Sequence, residues 1–408
     1  MLKKPLEGIR VIELGAFVAG PFASRLLGEF GAEVIKVESL EGDQLRQWGL
    51  HAPGQDSYWS MVQTRNKRSI SVNLRTIEGQ DIVRELIADA DVVLENFKPG
   101  TLAKWRLSHE EMKAINPKLV ITSISGFGQT GPYRNLPGFG NIAESMGGIR
   151  YVTGFPDRPP VRVGLPIGDT IAALYAVIGT LFSLYYRDAK NGKTGQVVDV
   201  ALYESVFSFL EGMVPEYVHM SKIRERTGNQ HVSTAPSNVY PTKDGKWVAI
   251  GANSDSLFNR LIKVMGREDL AQDPLLQDNK GRVKEADRLD KEIGIWTQQF
   301  NLSEVMDQLN AGSIPAGPIY NIEDILADPH YQERDMFLTI PDERIGDIVM
   351  PGIVPKLSET PGEVKWAGPN CGANTEEILS DLGYTEEQIE SWVEKGIIMT
   401  GDTVKPSL

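Results

Sequence analysis

Hydrophobic residues along the chain alternate between short runs typical of strands and longer periodic segments typical of helices. The runs at 9–14 and 33–38 predict two strands, and the segment 22–30 between them predicts a helix that ends at Gly31. A strand, a helix and a second strand of this kind form a βαβ unit. Such a unit indicates a parallel sheet with a right-handed crossover.

The same alternation continues beyond this unit. Further elements are predicted, in chain order, as helix 77–90, strand 92–95, helix 110–115, strand 119–123, helix 171–187, strand 196–200 and helix 202–211. The intervening residues 126–168 are mostly glycine, proline and polar turn residues, and they predict one long loop that is functional. Alternating strands and helices are typical of a doubly wound α/β domain.

The pattern changes after Pro215, where basic and polar residues lead to a hairpin predicted around Asp244–Gly245. Later elements are predicted as helices 257–265, 284–300 and 303–310, a hairpin near 344–347 and two short helices within 375–396. We therefore expect a discontinuous large domain that encloses a small α+β domain. The expected boundaries are 1–224 and 331–408 for the large α/β domain and 225–330 for the small domain.

The composition and charge of the chain limit the classes of function that it can have. The 408 residues carry a net charge of -13, which argues against nucleic acid and anionic membrane surfaces as partners. The single cysteine, Cys371, fits a reducing cytoplasm because it cannot form an intrachain disulfide. The beginning of the chain has no apolar core of signal-peptide length. The most apolar run, 171–186, is shorter than the roughly 20 residues of a membrane span and predicts a buried core helix.

Several familiar functional motifs are either absent from the sequence or lack the neighbouring element that their function requires. Residues 126–131 match G-x-G-x-x-G after a strand, but Pro132 follows where a phosphate-binding helix would begin, so we expect no nicotinamide cofactor. The histidines form no zinc-binding pattern, and the sequence contains no G-x-S-x-G nucleophile elbow. We therefore expect neither a metal site nor a serine hydrolase.

The loop 164–169, Gly-Leu-Pro-Ile-Gly-Asp, delivers one carboxylate to the start of the most apolar helix. Glycines let another molecule approach the backbone, and a helix N-terminus favours negative charge. Asp169 is therefore either a helix N-cap, which is common for aspartate, or a reactive carboxylate. Arg65, Lys67 and Arg68 stand just before one strand, and Lys98 and Lys104 follow another. Each alone is typical of a surface cation, but together with Phe97 they suggest a ligand with phosphates and an aromatic ring.

Several segments, taken together and in this order, resemble the class III CoA-transferases. They are Leu6–Val11, Ala19–Phe22, Gly31–Glu38, Asn66–Ser69, Glu95–Gly100, Gly126–Pro132, Gly168–Asp169 and Ile314–Pro318. They span most of the chain. The family includes formyl-CoA and carnitine CoA-transferases and, as a divergent branch, α-methylacyl-CoA racemases.

The resemblance implies an interlocked homodimer, with a Rossmann-like large domain built on a parallel sheet and a smaller α+β domain. It also implies that Asp169 is the catalytic residue, which attacks the acyl thioester and carries the acyl group as a mixed anhydride. Coenzyme A and acyl-CoA are then substrates, and no prosthetic group is expected. The CoA contacts of the family fall on Val18, Ala19, Arg75, Asn96, Phe97, Lys98 and Lys104.

Two departures from the family bear on the substrate. Val18 replaces a glutamine frequent beside the acyl group, and Gly138–Phe139–Gly140 replaces the Gly-His-Asp of racemases. A 2-methylacyl-CoA racemase, which would lack one base, and a non-catalytic CoA-binding protein are the alternatives. The chain resembles the branch that uses succinyl-CoA with dicarboxylate acceptors. The residues expected to contact substrate are Phe139, Arg150, Arg158 and Arg162, since guanidinium matches a distal carboxylate.

Overall fold

The computed structural model describes residues 4–190 and 192–401. Its strands are β1 (Arg10–Glu13), β2 (Glu33–Glu38), β3 (Lys67–Val72), β4 (Val92–Glu95), β5 (Val120–Ser125), β6 (Val197–Ala201), β7 (Ser237–Pro241), β8 (Trp247–Gly251), β9 (Ala316–Pro318), β10 (Phe337–Asp342), β11 (Gly346–Pro351) and β12 (Ile398–Met399). Contacts divide the chain into two compact units. The first comprises Met1–Ile149, Val163–Gly212 and Glu333–Leu408, and the second comprises Arg150–Arg162 and Met213–Gln332.

The α-helices alternate with the strands in the first unit and predominate in the second. They are α1 (Ala19–Glu29), α2 (Tyr58–Gln63), α3 (Ile77–Ala88), α4 (His109–Ile115), α5 (Gly140–Met146), α6 (Ile149–Val152), α7 (Ile167–Ala189), α8 (Leu202–Phe207), α9 (Met213–Met220), α10 (Asp255–Met265), α11 (Glu268–Ala271), α12 (Asn279–Lys284), α13 (Ala286–Thr297), α14 (Leu302–Ala311), α15 (Ile322–Ala327), α16 (Pro329–Glu333), α17 (Thr375–Asp381) and α18 (Glu386–Glu394). Short 3-10 helices lie at Gln44–Gln47, Leu102–Trp105, Ser208–Leu210 and Pro274–Leu276.

The first unit is built on a seven-stranded sheet in the order β12-β3-β2-β1-β4-β5-β6 among the described strands. All neighbouring strands pair in parallel except β12, which runs antiparallel to β3. The mixed α/β class and the mostly parallel sheet predicted from the sequence are confirmed. The strand order reverses between β1 and β4, and such a switch point opens a crevice at the carboxyl ends of the strands.

Helices cover both faces of this sheet. On one face, α3, α4, α17 and α18 enclose a core that includes Ile70, Ile82 and Leu379. On the other face, α1, α5, α7 and α8 enclose a second core with Leu27 and Leu94. Strands buried on both faces read as continuous apolar runs, which is why the bounds of β2 and β4 agree with the prediction.

Helix α7 is longer than the apolar run that predicted it, with 23 residues. One face places small residues such as Ala172 and Ala176 against α1 and the sheet. The opposite face exposes large apolar side chains, including Ile178 and Phe182. Its length and mean hydropathy of 1.6 would allow a membrane span, but core helices of soluble proteins meet the same criterion. The buried core helix predicted from the sequence is therefore buried on one face only in this single chain.

The loop predicted over residues 126–168 contains helices α5 and α6. Helix α5 has seven residues, begins at a glycine and follows a proline-rich turn, so its local signal is weak. It forms because it packs against α7 and α8. The segment that follows α6 belongs to the second unit, where Gly228 N donates to Gly154 O and Tyr151 Oη donates to Glu225.

The second unit contains a three-stranded antiparallel sheet, β7-β8-β9, with α10, α13 and α14 packed on a core that includes Leu261, Ile293 and Val305. The hairpin predicted at Asp244–Gly245 joins β7 to β8. The helix predicted over 284–300 corresponds to α13 (Ala286–Thr297), and Lys284 instead ends the short preceding helix α12. The contact boundary at residue 213 precedes the expected boundary at 225 because α9 groups with this unit.

Candidate active site

Asp169 lies in the first turn of α7, two residues after the helix begins at Ile167. Pro166 occupies the N-cap position, and no side chain caps this helix end. The expectation that Asp169 caps the helix is therefore wrong, because the helix begins earlier than the apolar periodicity suggests. Its carboxylate accepts a hydrogen bond from its own backbone N–H and lies half-buried beside α5.

The backbone of α5 makes room for this carboxylate. A Cβ atom on Gly140 would lie 2.0 Å from Asp169 Oδ2, so any side chain at position 140 would displace the carboxylate. Two residues earlier, Gly138 packs against Gly126, where a Cβ would lie 2.9 Å from the Gly138 Cα. Gly126 therefore allows close backbone packing against Gly138, which positions the loop that carries Phe139 and Gly140.

The surroundings of Asp169 favour its protonated form. Burial is the larger cause and the nearby carboxylate of Glu144 is the second, and together they raise the pKa of Asp169 from 3.8 to about 6. Glu144 is 2% exposed, and its Oε1 accepts a hydrogen bond from Gly168 N at 3.3 Å. Asp169 is thus ionised at neutral pH while being less solvated than a surface aspartate.

The loop after β1 lies at the switch point of the sheet, and side chains from two other loops hold it in place. Asn96, which follows β4, accepts from Ala16 N at 2.8 Å and donates to Ala16 O at 2.7 Å. Asp43 Oδ1 accepts from Phe17 N at 3.0 Å. Phe17 has a φ of 62°, a left-handed conformation that is costly for a bulky residue, so these contacts impose the shape of the loop.

Buried charges of alternating sign lie beneath this loop. Lys36 Nζ donates to Glu13 at 2.7 Å, to Asp43 at 2.9 Å and to Gly15 O at 2.8 Å. Lys67 Nζ also donates to Glu13, at 2.7 Å. Burial opposes ionisation of Glu13, but the two ammonium groups outweigh it and lower its pKa. The carboxylates of Glu13 and Asp43 likewise raise the pKa of Lys36 despite its burial.

A cavity of about 400 Å³ opens at the carboxyl ends of β1 to β4. Its lining includes Gly15, Phe17, Ser39, Arg75, Phe97 and Trp105. Phe97 and Trp105 pack edge to face with their ring centroids 5.4 Å apart. The buried carboxylate of Glu95 accepts from Phe97 N at 2.8 Å, and burial raises the pKa of Glu95 to about 7. The cavity combines aromatic walls, exposed backbone and one arginine.

Comparison with known proteins decides the family. Residues 6–375 match the model of CoA-transferase family III. The chain belongs to this family. It is 48% identical over 397 residues to succinyl-CoA–D-citramalate CoA-transferase of Chloroflexus aurantiacus, covering 97% of this chain and 98% of that protein.

Other members of CoA-transferase family III extend this similarity. The beta subunit of succinyl-CoA–L-malate CoA-transferase from Chloroflexus aurantiacus is 43% identical over 399 residues, covering 97% of this chain and 98% of that protein. A CAIB/BAIF family protein from Brucella suis has a crystal structure that matches with a TM-score of 0.85 and 35% identity, covering 93% of this chain and 100% of that one. The chain is thus a CoA-transferase of family III, and enzymes of this family use CoA thioesters as substrates.

The structure brings together some of the residues that the sequence predicted for CoA. Val18 and Ala19 are buried at the N-terminus of α1, directly after the loop that Asn96 holds. Arg75 and Phe97 line the cavity at the carboxyl ends of the strands. Lys98 and Lys104 are exposed on the segment after β4, outside the lining of that cavity.

The predicted substrate residues fall into two groups. Phe139 is 62% exposed, immediately precedes Gly140 and packs edge to face with Phe17 at 6.1 Å between ring centroids. Arg150, Arg158 and Arg162 lie in the second unit, where Arg158 stacks over the ring of Phe155 at 5.8 Å. The roles of these arginines stay predictions.

Sequence reasoning missed three features of this family III site. Glu144 lay in a stretch predicted as loop, so no helical spacing linked it to Gly140. Lys36 was predicted only as part of the strand 33–38 and Asp43 was not singled out, because their partners lie as far as 26 residues away. An aromatic chain that runs from Phe139 through Phe17 to Trp48 and Trp59 was also missed. A lysine and a glutamate inside apolar strands were the available signal for the buried charges.

Proposed function

We propose that this family III enzyme moves CoA from succinyl-CoA to a small dicarboxylic acid through a mixed anhydride on Asp169. The position of Asp169 carries this proposal, because its carboxylate lies against Gly140, is only partly buried and has a pKa raised to about 6. An ionised but partly desolvated carboxylate is a competent nucleophile at neutral pH. The relatives named for D-citramalate and L-malate supply the substrate class.

The proposed CoA transfer needs no reagent besides the enzyme, the donor acyl-CoA and the acceptor acid. An Oδ atom of Asp169 bonds to the thioester carbonyl carbon, the C–S bond breaks, and CoA leaves as a thiolate. The acceptor carboxylate then attacks the aspartyl carbonyl of the anhydride, which releases the donor acid and forms a second anhydride. Attack of the CoA thiolate on the acceptor carbonyl of this anhydride forms the new thioester and restores the Asp169 carboxylate.

We propose that CoA binds in the cavity at the carboxyl ends of β1 to β4. The strand order reverses there, and α/β folds bind nucleotide-like ligands at such switch points. Arg75, Lys98 and Lys104 provide positive charge for the CoA phosphates around an otherwise acidic protein. The backbone of Val18 and Ala19, with Asn96 and Phe97, then leads the pantetheine arm from this cavity toward Asp169.

The distal carboxylate of the substrate needs a cationic partner. Arg150, Arg158 and Arg162 are the residues we propose for it, since they occupy the segment just before the loop of Asp169. Replacing each with methionine is expected to raise KM for succinate and citramalate more than KM for acetate. Equal changes for both kinds of acid would reject a role in carboxylate recognition.

We also propose that the enzyme is an interlocked homodimer, as the family resemblance implies, and that it works in the cytoplasm. The exposed apolar face of α7 borders an apolar groove of about 590 Å³ lined by residues such as Leu6, Phe22, Leu181 and Leu357. Apolar surface of this extent is typical of subunit contacts. Light scattering of the purified protein tests the dimer, and a monomer at micromolar concentration would contradict it.

The main experiment incubates the enzyme with succinyl-CoA and a panel of free acids and identifies new CoA thioesters by mass spectrometry. We expect new thioesters with citramalate, malate and related dicarboxylates, and a loss of at least about a thousandfold in Asp169→Asn. Exchange of the α-proton of a 2-methylacyl-CoA with deuterium, without any acceptor acid, would support the racemase instead. Binding of CoA without thioester exchange would support a non-catalytic protein.

A further inference from the structure

Two residues of α5 face the start of α7 on the same side of their helix. Gly140 and Glu144 are four residues apart, so they lie one turn from each other. Gly140 contacts the carboxylate of Asp169, and Glu144 contacts Gly168, the residue before it. A Cβ on Gly168 would lie 3.2 Å from Glu144 Cγ, which shows how closely this buried side chain packs.

This packing places two carboxyl groups at one helix N-terminus. Glu144 accepts the N–H of Gly168, an amide of the first turn that has no partner within the helix. This contact holds the carboxyl group of Glu144 beside Asp169, inside the protein, where water screens electrostatic interactions poorly.

Several charged groups on the elements around α5 and α7 have hydrogen-bond or ion-pair partners. On α8, Tyr203 donates to the exposed Glu204, and on α1, Arg25 is ion-paired with Glu29. On β6, Asp199 accepts from Gln129 N. Glu144 is the side chain whose charge raises the pKa of Asp169, after the effect of burial.

We propose that Glu144 is a positioning residue that tunes the nucleophile, so that its repulsion of the Asp169 carboxylate is relieved when that carboxylate is acylated. The inference rests on the proposed function. When an Oδ atom of Asp169 bonds to the acyl carbon and the C–S bond breaks, the negative charge leaves on the CoA thiolate. The anhydride is neutral beside Glu144, whereas the free carboxylate is not. Glu144 thus favours the acylated enzyme over the free enzyme.

The first test is CoA release in a single turnover, from succinyl-CoA without an acceptor acid, measured across pH in quenched samples. Wild-type release is expected to fall with decreasing pH, with a midpoint near the Asp169 pKa of about 6. Glu144→Gln, which can still accept from Gly168 N, is expected to move this midpoint down by about one pH unit. It is also expected to lower the amount of acylated enzyme about threefold or more.

Two further variants separate charge from structure. Glu144→Asp keeps the charge and should keep the wild-type midpoint, and Glu204→Gln, the same change on exposed α8, should alter neither midpoint nor amount. A wild-type midpoint in Glu144→Gln, or equal shifts in Glu144→Gln and Glu144→Asp, would overturn the inference. No CoA release by the wild type would instead reject the proposed function.

A double-mutant cycle on the melting temperature measures the interaction between Glu144 and Asp169 without requiring catalysis. Asp169→Asn should raise the melting temperature at pH 7.5 more in the wild type than in the Glu144→Gln background, because the repulsion has already been removed there. An equal rise in both backgrounds would overturn the inference even if the enzyme proved inactive or one variant were poorly folded in the kinetic assay.

Discussion

Two regions of the first unit contain buried carboxylates, and the pKa values of these carboxylates are shifted in opposite directions. Under the loop after β1, the carboxylates of Glu13 and Asp43 contact the ammonium group of Lys36 at 2.7 and 2.9 Å. At the start of α7, the carboxylate of Asp169 instead has a second carboxylate, Glu144, as its charged neighbour. Attraction lowers the pKa of Glu13, whereas burial and repulsion raise that of Asp169.

The difference matches the task proposed for each region. A loop that receives CoA through its backbone must keep one shape, and a paired charge cluster holds Phe17 in its left-handed conformation through Asp43. A carboxylate nucleophile reacts more readily when its free form is destabilised. A repulsive charge beside it has this effect, because acylation removes the repulsion. Stability is therefore expected to respond with opposite signs when the two regions are neutralised.

Removing the charge of the paired cluster is expected to have the largest effect. Lys36→Met leaves Glu13 with one ammonium partner and Asp43 buried without its lysine, which should lower the free energy of unfolding by about 3–5 kcal/mol. Denaturant titration measures this loss. Arg106→Met, which breaks the exposed pair with Asp81, should cost less than about 1 kcal/mol. Similar losses for the two variants would show that the cluster does not hold the loop.

Removing the charge of the nucleophile is expected to stabilise the protein. The pKa of Asp169 rises from 3.8 to about 6 on folding, and at about 1.4 kcal/mol per pH unit this costs up to about 3 kcal/mol once the group is ionised. The cost is present above pH 6 and disappears below about pH 4, where Asp169 is protonated in both states. Asp169→Asn should therefore be more stable than the wild type at pH 7.5 and equal to it at pH 4.

Thermal unfolding at the two pH values measures this difference. A variant that is less stable than the wild type at pH 7.5 would contradict the account of the site. A gain that is unchanged at pH 4 would show that it comes from something other than the charge of Asp169.

Sequence reasoning succeeded where local pattern decides structure and failed where distant packing does. Strands β2 and β4 agree with the prediction because buried parallel strands are continuous apolar runs. Helix α5 was missed because its stability comes from packing on α7 and α8 rather than from its own residues. The neighbour of Asp169 could not be predicted for the same reason, since Glu144 faces Gly168 only once α5 has formed.

The asparagine that holds the loop after β1 is expected to have an intermediate effect. Asn96→Ala removes both bonds to Ala16 and should lower stability by about 1–2 kcal/mol. It should also raise KM for succinyl-CoA about tenfold, because the loop no longer presents its backbone. Asn116→Ala, which removes two bonds to backbone carbonyls elsewhere in this unit, is the matched control. An equal change in KM for both variants would argue against a role in CoA binding.

The smallest effect on stability is expected for Arg75, which is exposed beside the cavity. Arg75→Met should change the free energy of unfolding by less than about 0.5 kcal/mol but raise KM for succinyl-CoA about three- to tenfold. The KM effect should shrink as salt is added, since salt screens the attraction to the CoA phosphates. Lys118→Met, another exposed cation of this unit, should leave KM unchanged. Equal KM values in all three proteins would place the phosphates elsewhere.

The central claim is that Asp169 carries the acyl group, and a mass measurement tests it most directly. The enzyme is mixed with succinyl-CoA, quenched in acid and digested, and the peptide that contains Asp169 is sequenced by mass spectrometry. We predict that one succinyl group is found on Asp169, that hydroxylamine converts this residue to a hydroxamate, and that both signals vanish in Asp169→Asn. Acylation of a different residue, or transferase turnover that persists in Asp169→Asn, would contradict the account.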